Sequence, residues 1–195
     1  MIAEFAAYRD RLHATLDLVS AEQVDGFIEL LESAYRDERQ VLLMGNGGSG
    51  ATASHAACDL NKGVCHGLDK RFRVLCLNDN VPTLLAYAND VAYDRVFVEP
   101  LRNFLRPRDL VVGISCSGNS RNVVQAIEYA NAHEAHTVGL SAFDGGRLRA
   151  LAHTSVWVPV RDMQLAEDVH MAIFHVATQA LMRRVQRTRA AGQTC

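Results

Sequence analysis

The loop Ser-Cys-Ser-Gly-Asn-Ser at residues 115–120 carries the side chains of this chain that are best suited to bind an anion. It follows an apolar run at 110–114 and precedes apolar residues that are spaced as one face of a helix. The backbone N–H groups at the start of such a helix and the hydroxyls of Ser115, Ser117 and Ser120 are able to converge on one phosphate. An ordinary strand–helix turn is the alternative for this loop taken alone.

A second glycine-rich loop, Gly-Asn-Gly-Gly-Ser-Gly at residues 45–50, follows the apolar run at 41–44. It lacks the Gly-Lys-Ser/Thr ending of a P-loop. Its glycines match the G-x-G-x-x-G dinucleotide pattern, but that pattern needs an acidic residue at the end of the second strand, about 20 residues on. Asn78 and Asp79 come much later than that. We therefore interpret the two loops as a pair that binds a phosphate, with dinucleotide binding disfavoured.

Histidines and carboxylates stand on two predicted helices that border these loops. His55 and Asp59 are four residues apart and share one helix face. On the last helix, spacing alone pairs Glu167 equally well with His170 or with His175. Two histidines and two carboxylates suit either metal binding or general acid–base chemistry. Ordinary surface ion pairs and capping contacts are the alternative.

The elements that must position these residues alternate between strands and helices. Strands are predicted at 41–44, 72–77, 109–114, 137–140 and 155–160, and helices at 2–19, 21–36, 51–62, 81–89, 93–105, 119–132 and 162–189. This alternation predicts an α/β fold with a parallel sheet wrapped on both sides. The expected architecture is a three-layer α/β/α sandwich with a five-stranded parallel sheet, of the doubly wound, flavodoxin-like type. Residues 1–195 are expected to form a single domain.

Composition narrows the class of protein. Twenty basic and 22 acidic side chains among 195 residues give a net charge of −2, which provides no reason to expect nucleic acid or an anionic membrane as a partner. The sequence shows neither a bilayer-spanning apolar run nor a signal peptide. The five cysteines include no C-x-x-C pair. We therefore expect free thiols and a cytoplasmic location.

Four motifs in this order and spacing resemble the SIS (sugar isomerase) domain: residues 44–49, 89–90, 113–120 and 144–146. Within that family the resemblance is greatest to the phosphoheptose isomerases, which interconvert sedoheptulose 7-phosphate and a heptose 7-phosphate. It extends over nearly the whole chain, including the N-terminal helices. The resemblance implies an aldose–ketose isomerase that acts on a small sugar phosphate.

The resemblance also implies which residues contact the substrate. The phosphate site falls on four serines, and a cysteine stands where the family usually has threonine. The complete set implied for substrate binding is Asn46, Gly47, Ser49, Asp90, Ser115, Cys116, Ser117, Ser120 and Gln164. The thiol of Cys116 is a weaker donor than a hydroxyl, but the backbone donors of the loop are unaffected.

The family's acid–base pair corresponds to Asp59 and His175, so the resemblance selects His175 over His170 and leaves His170 as a structural residue. Some members of the family bind zinc, at positions that correspond to His55, Asp59, Glu167 and His175. A cluster of two histidines and two carboxylates is a chemically sensible site for Zn²⁺. Zinc is therefore the expected cofactor.

Several residues of this chain depart from the family pattern. Asp59 stands in place of Glu, Glu167 in place of Gln, Gln164 in place of Asp, and Lys62 lies in an altered segment. Two hypotheses for the proton transfer stay open. Either Asp59 removes the proton next to the carbonyl, or the shorter Asp59 holds the metal while Glu167 moves the proton. In both, His175 moves a proton between the oxygens of an enediolate.

Two other functions compete with this interpretation. The departures around the sugar favour, as one alternative, an isomerase of a different ketose phosphate. The other is a non-catalytic SIS protein that senses a sugar phosphate or binds a replication initiator. The replication branch lacks the catalytic histidine of the last helix, whereas this chain keeps His175. The resemblance further implies a homotetramer in which residues 1–37 pack between subunits and residues 38–195 form the sheet core and the last helix.

Overall fold

The computed structural model describes the backbone of residues 2–192 and the side chains of residues 2–185. Within this range strands and helices alternate after two N-terminal helices. The helices are α1 (Ile2–Asp17), α2 (Ala21–Arg36), α3 (Gly47–Cys58), α4 (Val81–Asp90), α5 (Val98–Phe104), α6 (Arg121–Ala132), α7 (Gly146–Leu151) and α8 (Met163–Gly192). The strands are β1 (Gln40–Gly45), β2 (Arg73–Cys76), β3 (Leu110–Ser115), β4 (His136–Ser141) and β5 (Thr154–Trp157).

The five strands form one parallel sheet in the order β2-β1-β3-β4-β5. The predicted three-layer α/β/α fold with a five-stranded parallel sheet is confirmed. The strand order reverses between β1 and β3, and the crevice outside the carboxyl ends of such strands is where ligands bind. Gly45 is in register with Ile114. The two predicted phosphate loops therefore leave the sheet side by side.

Both faces of the sheet are covered, as its continuous apolar strands require. On one face, Phe27 of α2 and Phe174 of α8 pack edge to face with their ring centroids 5.4 Å apart. On the other face, Phe97, which directly precedes α5, and Ile127 of α6 pack with Val111 of β3. Since α3 and α8 share the first face, the two helices that carry the candidate catalytic residues lie next to each other.

Two helices differ from their predicted form. The helix predicted at 51–62 changes after Cys58 into a π-helical turn, Asp59–Val64. The helix predicted at 93–105 is divided into a short 3₁₀ turn, Tyr93–Arg95, and α5. A continuous helix is disfavoured there because the ring of Pro100 would clash with the carbonyl four residues earlier, and α5 begins after that carbonyl. Turns of the π type occur frequently at functional sites, and this one begins at Asp59.

The described cysteines Cys58, Cys65, Cys76 and Cys116 are free thiols, as expected, while Cys195 lies outside the described residues. Among residues 2–192, none of the helices combines the length and the apolar character that crossing a bilayer requires.

Candidate active site

The two phosphate loops meet at the carboxyl ends of β1 and β3. The hydroxyl of Ser115 donates a hydrogen bond to Oγ of Ser120 at 3.0 Å. Across the crevice, Oγ of Ser49 lies 3.9 Å from Sγ of Cys116. Ser49 and Ser115 are buried, whereas Ser117 and Ser120 are partly accessible. The hydroxyls of Ser115 and Ser120 therefore form a polar pair at the N-terminus of α6, where backbone N–H groups and the helix dipole favour an anion.

Cys116 is the one non-hydroxyl side chain among the predicted phosphate residues of its loop. Burial raises the pKa of its thiol, and the negative charge of Glu167 also raises it, against a hydrogen bond from Ser49 that lowers it. The thiol is therefore protonated and neutral at physiological pH. Its substitution for threonine places no negative charge next to a bound phosphate.

Three side chains that the sequence analysis did not identify fix the first loop. Asn78 makes two hydrogen bonds to the backbone of Gly45: its Nδ2 donates to the carbonyl at 2.7 Å, and its Oδ1 accepts the N–H at 3.2 Å. Asn46 exchanges two 2.9 Å amide hydrogen bonds with Asn122. The hydroxyl of Tyr93 donates to Oδ1 of Asn46, also at 2.9 Å. Isolated asparagines and tyrosines follow no periodic pattern, so only the fold shows this role.

The residues that directly follow the motif at 144–146 hold the second loop by hydrogen bonds. The N–H of Leu148 donates to the carbonyl of Gly118 at 2.8 Å, and the N–H of Arg147 donates to Oδ1 of Asn119 at 3.1 Å. Gly118 has a φ of +65°, in the left-handed region that favours glycine. A Cβ at this position would overlap the carbonyl group of Gly145. The shape of the phosphate loop therefore depends on a glycine at 118.

His55, Asp59 and His175 form a cluster where α3, its π-helical continuation and α8 meet. The Nε2 atoms of His55 and His175 are 3.0 Å apart. Oδ2 of Asp59 lies 3.4 Å from Nε2 of His55 and 4.0 Å from Nε2 of His175. The side chains are 48%, 30% and 46% exposed for His55, Asp59 and His175. The structure thus brings together three of the predicted metal-binding residues, with their donor atoms converging and open to solvent.

The cluster fits a divalent metal ion. Two ligands that each lie 2.0–2.1 Å from a tetrahedral Zn²⁺ are about 3.3 Å apart, and the three separations here bracket that value. All three donor atoms lie within 4.8 Å of one another. Three protein ligands with a fourth position open is the arrangement of catalytic rather than structural zinc sites.

Glu167, the fourth residue of the predicted metal set, does not belong to this cluster. Its carboxylate lies against Gly48 in the first turn of α3, so closely that a Cβ on Gly48 would overlap it. This position is favourable for a carboxylate because the N-terminus of a helix carries partial positive charge. Glu167 therefore lies against the first loop as a negative charge separate from the histidine cluster.

Three predicted binding residues remain: Gly47, which lies within the first loop, and Asp90 and Gln164, which lie outside both loops. Gly47 has a φ of +53° and opens the first turn of α3. Asp90 ends α4, exposed, where it accepts a hydrogen bond from the amide of Asn89 at 2.8 Å. Gln164 lies exposed in the first turn of α8. Within the described part of the chain, no hydrogen bond links the side chain of Asp90 or Gln164 to the phosphate loops.

A cavity of about 520 Å³ opens at the point where the strand order reverses. Its lining includes Asn46 of the first loop and Ser120 of the second, and the side chains of Asp94 and Arg121 face each other across 3.8 Å. This volume lies in the usual range for small-molecule sites. The crevice therefore has room for a small polar ligand between the two loops.

His170 occupies a different environment from His175. It is completely buried, and its Nε2 lies 3.2 Å from the carbonyl oxygen of Ser141 at the end of β4. Burial lowers the pKa of His170 to about 4. A neutral imidazole whose Nε2–H donates to a backbone carbonyl ties α8 to the sheet. This placement agrees with the structural role expected for His170.

Because the pKa of His170 is lowered on folding, the protein should lose stability as pH falls. The unfolded chain binds a proton at its ordinary pKa near 6.5, whereas the folded protein resists protonation down to about 4. The contribution is therefore present above pH 6.5 and is lost towards pH 4, and its size is about 3 kcal/mol. Urea unfolding at several pH values should show a shallower pH dependence for His170→Gln than for wild type. Exposed His13→Gln is the control, and an unchanged dependence in His170→Gln would contradict this assignment.

Residues 4–142 match the family model described as SIS domain. Since this match covers well over half of the chain, the protein belongs to the SIS domain family. The phosphoheptose isomerase of Helicobacter pylori is 31% identical over 180 residues, which is 92% of this chain and 93% of the relative. That of Geobacter sulfurreducens is 33% identical over 184 residues, which is 94% of this chain and 96% of the relative. The resemblance to phosphoheptose isomerases is thereby confirmed.

Solved structures agree with this assignment. The phosphoheptose isomerase GmhA of Neisseria gonorrhoeae superimposes with a TM-score of 0.84 at 27% identity, covering 92% of this chain and 96% of that structure. A phosphoheptose isomerase of Francisella tularensis gives a TM-score of 0.85 at 20% identity, covering 93% and 98%. The second likeness shows the fold alone.

Proposed function

We propose that this protein converts sedoheptulose 7-phosphate into a heptose 7-phosphate through an enediolate. The observation that carries the proposal is the histidine–aspartate cluster beside the paired phosphate loops. An aldose–ketose isomerase has to hold the phosphate, polarise the carbonyl and move a proton between neighbouring carbons. In this proposal the serine loops hold the phosphate. The cluster and Glu167 supply the groups that polarise the carbonyl and move the proton.

Substrate binding is assigned to the two loops and the crevice between them. The hydroxyls of Ser115, Ser117 and Ser120, with the N-terminus of α6, hold the phosphate in this proposal. Asn46 and Ser49 lie on the facing loop, within reach of the sugar chain. The phosphate fixes one end of the open-chain sugar, so its carbonyl end is directed towards α3 and α8. Asp90 and Gln164 remain candidate contacts from the rim.

His55, Asp59 and His175 would hold the metal, and Zn²⁺ is the ion that their nitrogen and oxygen donors favour. When bound, such an ion supplies Lewis-acid polarisation of the carbonyl and stabilises the enediolate charge. Since Asp59 faces both histidines, we assign it to metal binding. Glu167 is then the carboxylate that removes the proton next to the carbonyl. His175 moves a proton between the two oxygens of the enediolate. The alternative, with Asp59 as the base, predicts a different outcome for Glu167→Gln.

Paired variants separate the two assignments. Asp59→Asn should lose both bound metal and turnover, because an amide is a poorer ligand than a carboxylate. Glu167→Gln should keep the metal and lose turnover by about 10²–10⁴-fold, the usual contribution of a general base. Metal content by mass spectrometry and conversion of sedoheptulose 7-phosphate are measured on the same samples. A Glu167→Gln variant with full activity would transfer the base role to Asp59.

The substrate itself is tested by offering ketose 7-, 6- and 5-phosphates to the purified protein, with and without added zinc. Preference for the seven-carbon substrate supports the proposal. Faster conversion of a shorter ketose phosphate would support the alternative, an isomerase of a different ketose phosphate. The departures from the family pattern at Asp59, Lys62, Gln164 and Glu167 are the reason to test it. Binding without conversion of any of them would indicate a sugar-phosphate sensor.

The assembly proposed is a homotetramer in the cytoplasm, with residues 1–37 packed between subunits of a single domain that spans residues 1–195. Apolar side chains of α1 support it, since Ile2 is 89% exposed and Phe5 is 71% exposed in one chain. The free cysteines support the compartment. Analytical ultracentrifugation tests the assembly, and a monomer at micromolar concentration would contradict it.

A further inference from the structure

A small cavity lies at the amino ends of β1, β3 and β4, on the opposite edge of the sheet from the phosphate loops. Its volume is about 70 Å³, enough for about five water molecules or one tetrahedral oxyanion. Six-residue strands separate it from the active site by about 20 Å. The polar side chains that line it are those of Ser33, Asp37, Arg39, Arg108 and His136.

The two arginines of this cavity have no anionic partner. Nε of Arg39 is buried and makes no hydrogen bond. Among the described residues, no carboxylate lies within ion-pair distance of either Arg39 or Arg108. A buried guanidinium N–H without an acceptor is costly, and a bound anion would remove that cost.

The two carboxylates near this cavity already accept hydrogen bonds from other residues. The carboxylate of Asp37 accepts hydrogen bonds from Ser33 and from Arg36, each at 3.3 Å. The buried carboxylate of Asp109 accepts the backbone N–H groups of Gln40 at 3.0 Å and of Arg106 at 2.8 Å. Neither carboxylate therefore forms an ion pair with Arg39 or Arg108, although that of Asp37 lines the same cavity.

The backbone holds one of these arginines in an unfavourable conformation. Arg108 has a φ of +69°, and its N–H donates to the carbonyl of Glu134 at 2.8 Å. Glycine is the residue that adopts such a φ at little cost. Arg108 therefore keeps an unfavourable φ at a position where its side chain lines the cavity together with Arg39 and His136.

We propose that this cavity is a second anion site, in which Arg39, Arg108 and His136 bind a phosphate group. Two arginine side chains that line one small polar space, to which the exposed Arg108 and His136 give access, match the charge and the donor demand of a tetrahedral oxyanion. The phosphate belongs either to the free ion or to a phosphate monoester. The site is separate from the serine loops and does not depend on the isomerase activity.

Equilibrium dialysis of the full chain at constant ionic strength tests the proposal, with radiolabelled inorganic phosphate as the probe. Arg39→Met and Arg108→Met should each weaken one class of phosphate site at least tenfold. Arg106→Met is the matched control, because Arg106 is exposed, lies in the same loop as Arg108 and does not line the cavity. Competition by methyl phosphate shows that monoesters enter, and its failure to compete identifies the free ion.

The result that would overturn the proposal is phosphate binding in Arg39→Met and Arg108→Met that equals that of Arg106→Met. Conversion of sedoheptulose 7-phosphate is measured in parallel and is expected to stay at the wild-type rate in all three variants. Loss of the second site with activity retained supports the site. Absence of isomerase activity in the wild type would contradict the proposed function without altering the count of phosphate sites.

Discussion

Replacing His175 with Gln should reduce kcat for sedoheptulose 7-phosphate by about 10³-fold or more, since general acid–base groups contribute 10²–10⁴-fold and metal binding adds to this. His175 contributes one of the three converging donor atoms, and its Nε2 lies 3.0 Å from that of His55. Its side chain is 46% exposed, so the loss should not arise from unfolding. Steady-state kinetics and thermal unfolding of the same sample separate the two effects.

A double variant makes this prediction sharper. If His175 and Asp59 act through one shared site, His175→Gln combined with Asp59→Asn should be scarcely slower than either single variant. If the fold-reduction in kcat of the double variant is instead the product of the two single reductions, the two residues act independently. His133→Gln, which replaces an exposed histidine at the end of α6, is the control and should leave kcat unchanged. Full activity in both single variants would remove the cluster from the mechanism.

Replacing Gly118 with Ala should destabilise the protein by about 3 kcal/mol or more, which lowers Tm by about 10 °C for a chain of this size. The left-handed φ of +65° alone costs an L residue about 1–2 kcal/mol. The added Cβ would also overlap the carbonyl of Gly145, so the turn beneath the phosphate loop has to move. We therefore expect a higher KM for the phosphorylated substrate in the variant that remains folded.

Gly26→Ala is the matched control for this experiment. Gly26 lies within α2, and a Cβ there would meet no other atom within 4 Å. Alanine in place of glycine within a helix stabilises by about 0.5–1 kcal/mol, so Tm should rise slightly. Calorimetry compares both variants with wild type. Equal Tm values for Gly118→Ala and wild type would show that the loop does not depend on this glycine.

The sequence predicted the sheet, and the position of the two glycine- and serine-rich loops at its carboxyl edge, because both depend on local patterns. Apolar runs followed by glycine and serine locate the carboxyl ends of β1 and β3, and parallel connections bring them together. The i, i+4 spacing placed His55 and Asp59 on one face. The choice of His175 over His170 came from the resemblance, and the structure gives its physical basis in the burial of His170.

Other features depend on contacts between residues that are distant in sequence. The apolar pattern of a π-helical turn resembles that of an α-helix, so the change at Asp59 was not predicted. Asn78 and Asn122 fix the first phosphate loop from other elements, and single asparagines give no pattern. The position of Glu167 against Gly48 depends on how α8 packs on α3, which the spacing along α8 does not determine.

The most direct test of the account is conversion of sedoheptulose 7-phosphate by the wild-type protein in D₂O, followed by proton NMR. A carboxylate that removes the proton next to the carbonyl exchanges it with solvent at the enediolate stage. The enediolate mechanism predicts an aldose 7-phosphate that carries deuterium at the carbon next to its carbonyl, formed about 10³-fold or more slowly by His175→Gln. Failure of the wild type to form the aldose, or absence of deuterium from both the aldose and the recovered ketose, would contradict it.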